Sequence, residues 1–65
     1  MTLPRILIVE DEGVVARDIR MQLAALGYDP VGIASSGNEA VGLAGTLRPD
    51  LVLMDIQLGD GMDGI

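Results

Sequence analysis

Three short apolar runs alternate along the chain with two longer segments in which apolar residues recur at helical intervals. The runs cover residues 6–9, 31–34 and 51–54, and each has about the length of a β-strand. The run of residues 6–9 is continuous and rich in β-branched residues, which is typical of a strand that is covered on both faces. The middle run contains Gly32, so it predicts the weakest strand of the three.

The segment from residue 13 to residue 26 follows the 3.6-residue period of an amphipathic helix. Its apolar stripe consists of Val15, Ile19, Leu23 and Leu26. Gly27 follows, and glycine commonly ends a helix because it adopts the left-handed backbone conformation at little cost. Residues 28–30 predict a turn that leads into the second strand.

A second helix is predicted between the second and third strands. Ser36 and Glu39 form a capping-box pattern at its start. Its apolar stripe consists of Ala40, Leu43, Ala44 and Leu47. Pro49 ends this helix, because a proline disfavours helical backbone in the residue before it.

The predicted order of elements is strand, helix, strand, helix, strand. This alternation indicates right-handed βαβ units, and hence a parallel sheet with helices on both faces. The predicted fold class is therefore α/β with a doubly wound parallel sheet. Such a sheet rarely stops at three strands, so we expect these elements to belong to a larger domain.

The composition of the chain excludes several classes of chemistry. Its 65 residues include no cysteine and no histidine, which rules out disulfides, thiolate or imidazole metal ligands and histidine-dependent catalysis. A net charge of −6 argues against nucleic acid and anionic membranes as partners. No apolar run approaches the length of a membrane span or of a signal peptide's apolar region, so a cytoplasmic protein is expected.

Carboxylates directly follow the first and third predicted strands. Glu10, Asp11 and Glu12 come after the first strand, and Asp55 comes after the third. Ligands of open parallel sheets bind at the carboxyl ends of the strands, so these acids converge if the two strands are neighbours. Acids at a helix start also suit the helix dipole, but the dipole does not account for Asp55 at the end of an apolar strand. The predicted partner is a divalent cation with oxygen ligands, Mg²⁺ or Mn²⁺.

Two other ligand classes fit the sequence poorly. A dinucleotide or P-loop site needs a glycine-rich turn after the first strand, whereas three acids stand there. Asp60 and Asp63 lie among glycines, but their spacing does not match a Ca²⁺ loop. Residues 57–64 are therefore interpreted as a plain turn.

Two separated motifs resemble the amino-terminal half of a bacterial two-component response-regulator receiver domain. One motif is the first strand with its acids, residues 6–12, and the helix after it; the other is residues 49–58 with the turn that reaches Gly64. The motifs agree with that family in order, spacing and structural context over nearly the whole chain. The resemblance implies a flavodoxin-like fold with strand order 2-1-3-4-5, of which this chain carries β-α-β-α-β in the order 2-1-3.

The resemblance also implies a role for individual residues. Glu10 and Asp11 correspond to the pocket acids, Asp55 to the phospho-acceptor, and Gln57 to the residue whose main-chain carbonyl binds Mg²⁺. Glu12 lies outside the pocket pair and is interpreted as a solvated acid at the helix start. The implied function is acceptance of a phosphoryl group on Asp55 from a sensor histidine kinase or a phosphotransfer protein. A receiver of this kind is a phospho-acceptor rather than an enzyme.

The chain departs from the family pattern in two ways. Its turn 58–64 lacks the proline that many members carry after the acceptor and is one residue longer, which implies a more mobile loop. The family domain is about twice as long, and its Ser/Thr switch residue and its Lys, on the fourth and fifth strands, fall beyond Ile65. Residues 1–65 are therefore expected to be the amino-terminal half of a receiver domain, a fragment of a larger regulator.

Two alternatives remain open at this point. A haloacid-dehalogenase-type phosphatase also uses an Asp at a strand end with Mg²⁺, but it typically has a second Asp where Gln57 stands. A pseudo-receiver would be an interaction module without phosphorylation, and the complete acidic set of Glu10, Asp11 and Asp55 argues against it. As an isolated fragment the chain is expected to form a homo-oligomer, because its third strand and its uncovered faces are apolar.

Overall fold

The computed structural model describes residues 2–54 of the chain. These residues form strands and helices in the predicted alternating order. The elements are β1 (Arg5–Val9), α1 (Gly13–Ala25), β2 (Asp29–Ala34), α2 (Gly37–Leu47) and β3 (Leu51–Met54). The bounds of β1, α1 and β3 agree with the predicted segments to within one residue.

The strands form a parallel sheet with β1 in the middle of the order β2-β1-β3. The chain passes from β1 through α1 to one side of the sheet, and then through α2 to the other side of β1. Right-handed crossovers in these two directions place the helices on opposite faces. The doubly wound α/β arrangement and the strand order 2-1-3 are therefore confirmed.

The core is centred on β1, which has a neighbouring strand on each side. Its buried residues are Ile6, Leu7, Ile8 and Val9. Leu7 and Val9 point to the same face, because side chains alternate along a strand, and they cluster there with Ala34 and Ala40. The side chains of α2 that pack against this cluster are Leu43, Ala44 and Leu47. The apolar stripe predicted for α2 is therefore confirmed.

The stripe predicted for α1 is confirmed except at its last position. Val15, Ile19 and Leu23 are half-buried, and α1 contacts both β1 and β2. Leu26, by contrast, is 73% exposed, so its placement in the stripe was wrong. The reason is that α1 ends at Ala25 and Gly27 takes a φ of 97°, which turns the chain out of the helical path.

The second strand begins two residues earlier than predicted. Asp29 and Pro30, assigned to a turn from the sequence, belong to β2 instead, and the amide of Asp29 donates to the carbonyl of Pro4 at 2.8 Å. A proline is tolerated there because β2 is an edge strand within the described sheet. The pairing of β1 with β2 then shifts at Val31, where Pro30 and Gly32 are the partners of successive β1 residues.

Gly32 allows α2 to approach the sheet closely. A Cβ atom at this position would lie 2.7 Å from Cδ1 of Leu47 and 3.5 Å from Cδ1 of Leu7. The glycine that weakens the strand by propensity therefore makes room for the last turn of α2.

The start of α2 follows the capping box only in part. The Oγ atom of Ser36 accepts a hydrogen bond from the amide of Glu39 at 3.2 Å, as predicted. The carboxylate of Glu39 reaches one residue further back than the pattern requires, to the amide and the hydroxyl of Ser35. The start of α2 is therefore held by hydrogen bonds on both serines.

Candidate functional site

Glu10 is a buried acid at the carboxyl end of β1. Its side chain is 3% exposed, and its amide donates to the carbonyl of Ala34 at 2.9 Å. This bond extends the pairing of β1 with β2 by one residue, so Glu10 lies at the carboxyl end of the paired strands. A carboxylate is costly to bury without hydrogen bonds, so its partners decide whether it is stable there.

The amide of Glu12 is a hydrogen-bond donor to Glu10. It lies 3.0 Å from Oε2 of Glu10. Within residues 2–54, every buried side-chain nitrogen or oxygen has a hydrogen-bond partner. The burial of Glu10 is therefore compensated by the turn that follows it.

Glu12 itself is the N-cap of α1. Its carbonyl accepts from the amide of Ala16 at 2.9 Å, but its side chain makes no capping hydrogen bond and is exposed. This agrees with the interpretation of Glu12 as a solvated acid outside the pocket pair. The bond from its amide to Glu10 was not predicted from the sequence. An available signal was the absence of a Ser, Thr, Asn or Asp at the N-cap.

Asp11 lies between these two acids and is exposed. Its neighbours on both sides are fixed by hydrogen bonds, through the amide of Glu10 and through the amide and carbonyl of Glu12. The structure thus brings two predicted site residues, Glu10 and Asp11, to the carboxyl end of the central strand. This is where ligands of open α/β sheets bind.

The other two predicted site residues, Asp55 and Gln57, lie outside the described residues. Their nearest described neighbour is Met54, the last residue of β3, which pairs with Val9 of β1. Within residues 2–54, no group of three or more acids is close enough together to hold a metal ion. The proposed turn 58–64 also lies outside the described part of the chain.

The donors that are described fit a hard divalent cation in kind. Glu10 and Asp11 offer carboxylate oxygens at adjacent positions, and Mg²⁺ and Mn²⁺ prefer oxygen ligands. Mg²⁺ is commonly held by one or two carboxylates together with ligands from its substrate. The chemistry of these two residues is therefore compatible with the predicted metal.

The carboxylate of Glu39 lies in the first turn of α2, where it stabilises the start of the helix. Hydrogen bonds from the amide and the hydroxyl of Ser35 hold the pKa of Glu39 below its ordinary value. These bonds give Ser35 and Ser36 a capping role at the start of α2.

The strand β3 has one partner in the described sheet and is exposed along its length. Its residues Leu51, Val52, Leu53 and Met54 are 56%, 40%, 37% and 59% exposed.

Neither helix in the described part of the chain is long and apolar enough to cross a membrane.

The fold and the acids at the end of β1 define a doubly wound, flavodoxin-like α/β domain with an acidic edge. The family model of the response regulator receiver domain matches residues 6–65. The chain therefore belongs to the response regulator receiver domain family. This membership argues against the phosphatase alternative, and it does not favour a pseudo-receiver over a phospho-accepting receiver.

Two curated relatives carry the names of regulatory proteins. The chain is 44% identical over 61 residues to the phyllosphere-induced regulator PhyR of Methylorubrum extorquens, covering 92% of this chain and 23% of that protein. It is 46% identical over 61 residues to the transcriptional regulatory protein PdtaR of Mycobacterium tuberculosis, covering 91% of this chain and 30% of that protein. The chain thus spans less than a third of the length of these relatives.

Solved structures of the same family share the fold. The anti-anti-sigma factor PhyR from Bartonella quintana superposes with a TM-score of 0.81 at 39% identity, over 97% of this chain and 27% of that one. The response regulator PhyR from Brucella abortus gives a TM-score of 0.79 at 43% identity, over 92% of this chain and 25% of that one. The flavodoxin-like fold class is therefore supported by structure as well as by sequence.

Proposed function

We propose that the protein carrying this chain accepts a phosphoryl group on the carboxylate of Asp55. The donor is a phosphohistidine of a sensor histidine kinase or of a phosphotransfer protein. The proposal extends the family's role in two-component signalling to individual residues of this chain.

The observation that carries the proposal is the register between β1 and β3. Val9 pairs with Met54, and the next residues in the sequence are Glu10 and Asp55. Paired parallel strands end at the same edge of a sheet, where ligands of this fold class bind. The register therefore supports one shared site for the acids that follow the two strands.

Mg²⁺ is the proposed cofactor, and Mn²⁺ can replace it. Asp11, Asp55 and the main-chain carbonyl of Gln57 would hold the ion, with Glu10 beside them. When bound, the ion offsets the negative charge that collects where carboxylates meet a phosphoryl group.

The proposed step is an in-line displacement at phosphorus. An oxygen of the Asp55 carboxylate forms a bond to phosphorus, the bond from phosphorus to the donor imidazole breaks, and the imidazole leaves. The products are an aspartyl phosphate and an unphosphorylated histidine. One phosphoryl group is consumed for each acceptor, so the proposed role is that of a phospho-acceptor and not that of an enzyme with a separate substrate.

The proposed partner is a protein, and the proposed location is the cytoplasm. A net charge of −6 disfavours direct contact with nucleic acid or an anionic membrane by this segment. A negatively charged protein repels an anionic phosphoryl group. A cation at the acceptor site would offset this repulsion, which is consistent with a metal-dependent acceptor.

Phosphorylation of the protein that carries this chain tests the proposal. With Mg²⁺ and a small phosphodonor or the cognate kinase, we expect an acid-stable, base-labile acyl phosphate. Asp55→Asn should abolish labelling. Glu12→Gln is the matched control, since Glu12 is exposed and its side chain makes no capping bond, and it should leave labelling nearly unchanged.

Two results would contradict the proposal in different ways. Labelling that persists in Asp55→Asn would move the acceptor to another residue. A wild-type protein that stays unlabelled with a donor active on other receivers would instead support the pseudo-receiver interpretation.

A further inference from the structure

The turn between β1 and α1 is fixed at both ends by hydrogen bonds that converge on Glu10. The amide of Glu10 is bonded to Ala34 of β2 at 2.9 Å, and Oε2 of Glu10 accepts from the amide of Glu12 at 3.0 Å. The side chain of Glu10 is 3% exposed, so the bond to Glu12 is shielded from competing water on the carboxylate side. The residue after β1 is thus connected through its side chain to the N-cap residue of α1.

The helix α1 lacks the usual devices that fix a helix start. The side chain of its N-cap, Glu12, makes no hydrogen bond, and its first turn contains no acidic residue. Helices normally fix this end with a Ser, Thr, Asn or Asp at the N-cap and an acid at the third position. In this chain the carboxylate of Glu10, two residues before the N-cap, accepts a hydrogen bond from the amide of the N-cap residue Glu12.

Asp11 lies inside the turn that this bond closes. Both of its neighbours are held in place, whereas Asp11 is exposed. The orientation of an exposed side chain depends on the backbone that carries it. Here the backbone forms a turn that the hydrogen bond between the Glu10 carboxylate and the Glu12 amide closes.

We infer that Glu10 is a positioning residue for Asp11. Its buried carboxylate accepts a hydrogen bond from the Glu12 amide, which closes the turn of residues 10–12 and so holds Asp11 at the carboxyl end of β1. This inference rests on the proposed function where it concerns metal binding. The closure of the turn is a property of the chain without metal and is tested separately.

The test compares Glu10→Met with Glu10→Gln in the complete protein. Methionine keeps the length and the burial of the side chain but has no oxygen to accept from the Glu12 amide, and it leaves no cavity that would prevent folding. Glutamine removes the charge but retains an acceptor oxygen. Glu12→Gln is the control that removes a charge from the same turn without affecting the bond.

The metal-free readouts are amide hydrogen exchange at Glu12 and the backbone order parameter of Asp11. In Glu10→Met we expect exchange at Glu12 to accelerate by about tenfold, the effect of losing one charge-assisted hydrogen bond. The order parameter of Asp11 should fall in the same variant. Both readouts should recover in part in Glu10→Gln, whose neutral oxygen accepts a weaker hydrogen bond, and they should keep wild-type values in Glu12→Gln.

The metal-dependent readout is the Mg²⁺ affinity, followed through the amide shift of Asp11. Both Glu10 variants lose a negative charge, but glutamine keeps an oxygen that can itself face the ion. A further loss of affinity in Glu10→Met therefore reports on the position of Asp11 only where the order parameter of Asp11 falls in the same variant. We expect that further loss to be about tenfold, the lower end of the range for disrupting a residue that orients a metal ligand.

Three outcomes separate the inference from the proposed function. Unchanged exchange and order in Glu10→Met would overturn the inference, whatever the metal does. Changed exchange with equal Mg²⁺ affinity in the two Glu10 variants would overturn the positioning role and leave only a capping role. A wild-type protein that shows no Mg²⁺-dependent shift would contradict the metal site of the proposed function, and the metal-free readouts would still decide whether Glu10 positions Asp11.

Discussion

Arg5 and Asp50 bind each other reciprocally at the amino ends of two neighbouring strands. The amide of Arg5 donates to Oδ2 of Asp50 at 2.8 Å, and the amide of Asp50 donates to the carbonyl of Arg5 at 2.8 Å. This pair sets the register in which Ile6 faces Leu51 and Val9 faces Met54. A contact at one end of the sheet therefore determines which residues are adjacent at the other end, where the acids follow.

Asp50→Ala should lower the free energy of unfolding by about 1 kcal/mol, because the Arg5 amide loses its carboxylate acceptor. Asp50→Asn is the matched control, since its amide oxygen can accept the same bond. Urea unfolding of the three proteins measures the difference. Equal midpoints for the alanine and asparagine variants would show that the side chain of Asp50 does not stabilise this pair.

Gly27→Ala should destabilise the protein by about 1 kcal/mol, because φ is 97° at this position and a Cβ atom is strained there. Gly42→Ala is the control with the opposite sign. Gly42 lies inside α2, and beyond the local backbone of the helix an added Cβ would meet no atom within 4 Å, so alanine should stabilise the helix by up to about 1 kcal/mol. Thermal unfolding should move the two variants in opposite directions, and a shift in the same direction would contradict the assignment.

The capping carboxylate of Glu39 makes the stability of the protein depend on pH. The amide and then the hydroxyl of Ser35 lower the pKa of Glu39. A carboxyl whose pKa is lower in the folded state stabilises that state above its unfolded pKa of about 4.3 and loses this effect as the pH falls through the folded value. Side-chain titration by NMR should give a higher Glu39 pKa in Ser35→Ala than in the wild type, because the hydroxyl bond is lost and the amide bond remains.

Glu39→Gln gives the complementary measurement. This variant should lose less stability than the wild type as the pH falls below the ordinary range of a carboxyl pKa, since one carboxyl with a lowered pKa has been removed. Asp18→Asn is a suitable control, because Asp18 is an exposed acid on α1 whose described side-chain bond is to Gln22 of the same helix. An equal change in both variants would mean that the effect comes from net charge alone.

A polypeptide of these 65 residues should self-associate. Leu51 and Met54 of β3 are 56% and 59% exposed, and an exposed apolar edge strand is a template for pairing with another chain. Leu51→Lys should shift the sedimentation average towards the monomer, whereas Val41→Lys, at a 75% exposed position on α2, should not. A compact monomer of the wild-type chain at micromolar concentration would contradict this prediction.

The local pattern of the sequence determined most of the secondary structure. Residues 6–9 and 51–54 are continuous apolar runs of strand length, and both form strands at the predicted positions. The period of α2 and the position of Gly27 were equally local signals. The pair of motifs at residues 6–12 and 49–58 was enough to indicate the family, which the match over residues 6–65 confirms.

The tertiary structure decided what depends on contacts between distant residues. Pro30 belongs to a strand because β2 is an edge strand in the described sheet, and Leu26 is exposed because the chain turns at Gly27; neither outcome can be read from residue type. Glu10 and Asp11 are neighbouring acids in the sequence, yet the first is buried and hydrogen-bonded to the Glu12 amide while the second is exposed. That difference arises because β1 lies between two strands, so the side chain of its next residue is enclosed while the following one emerges at the edge. The roles of Asp55 and Gln57 stay predictions of the sequence, and the register of β1 with β3 is the tertiary contribution that supports them.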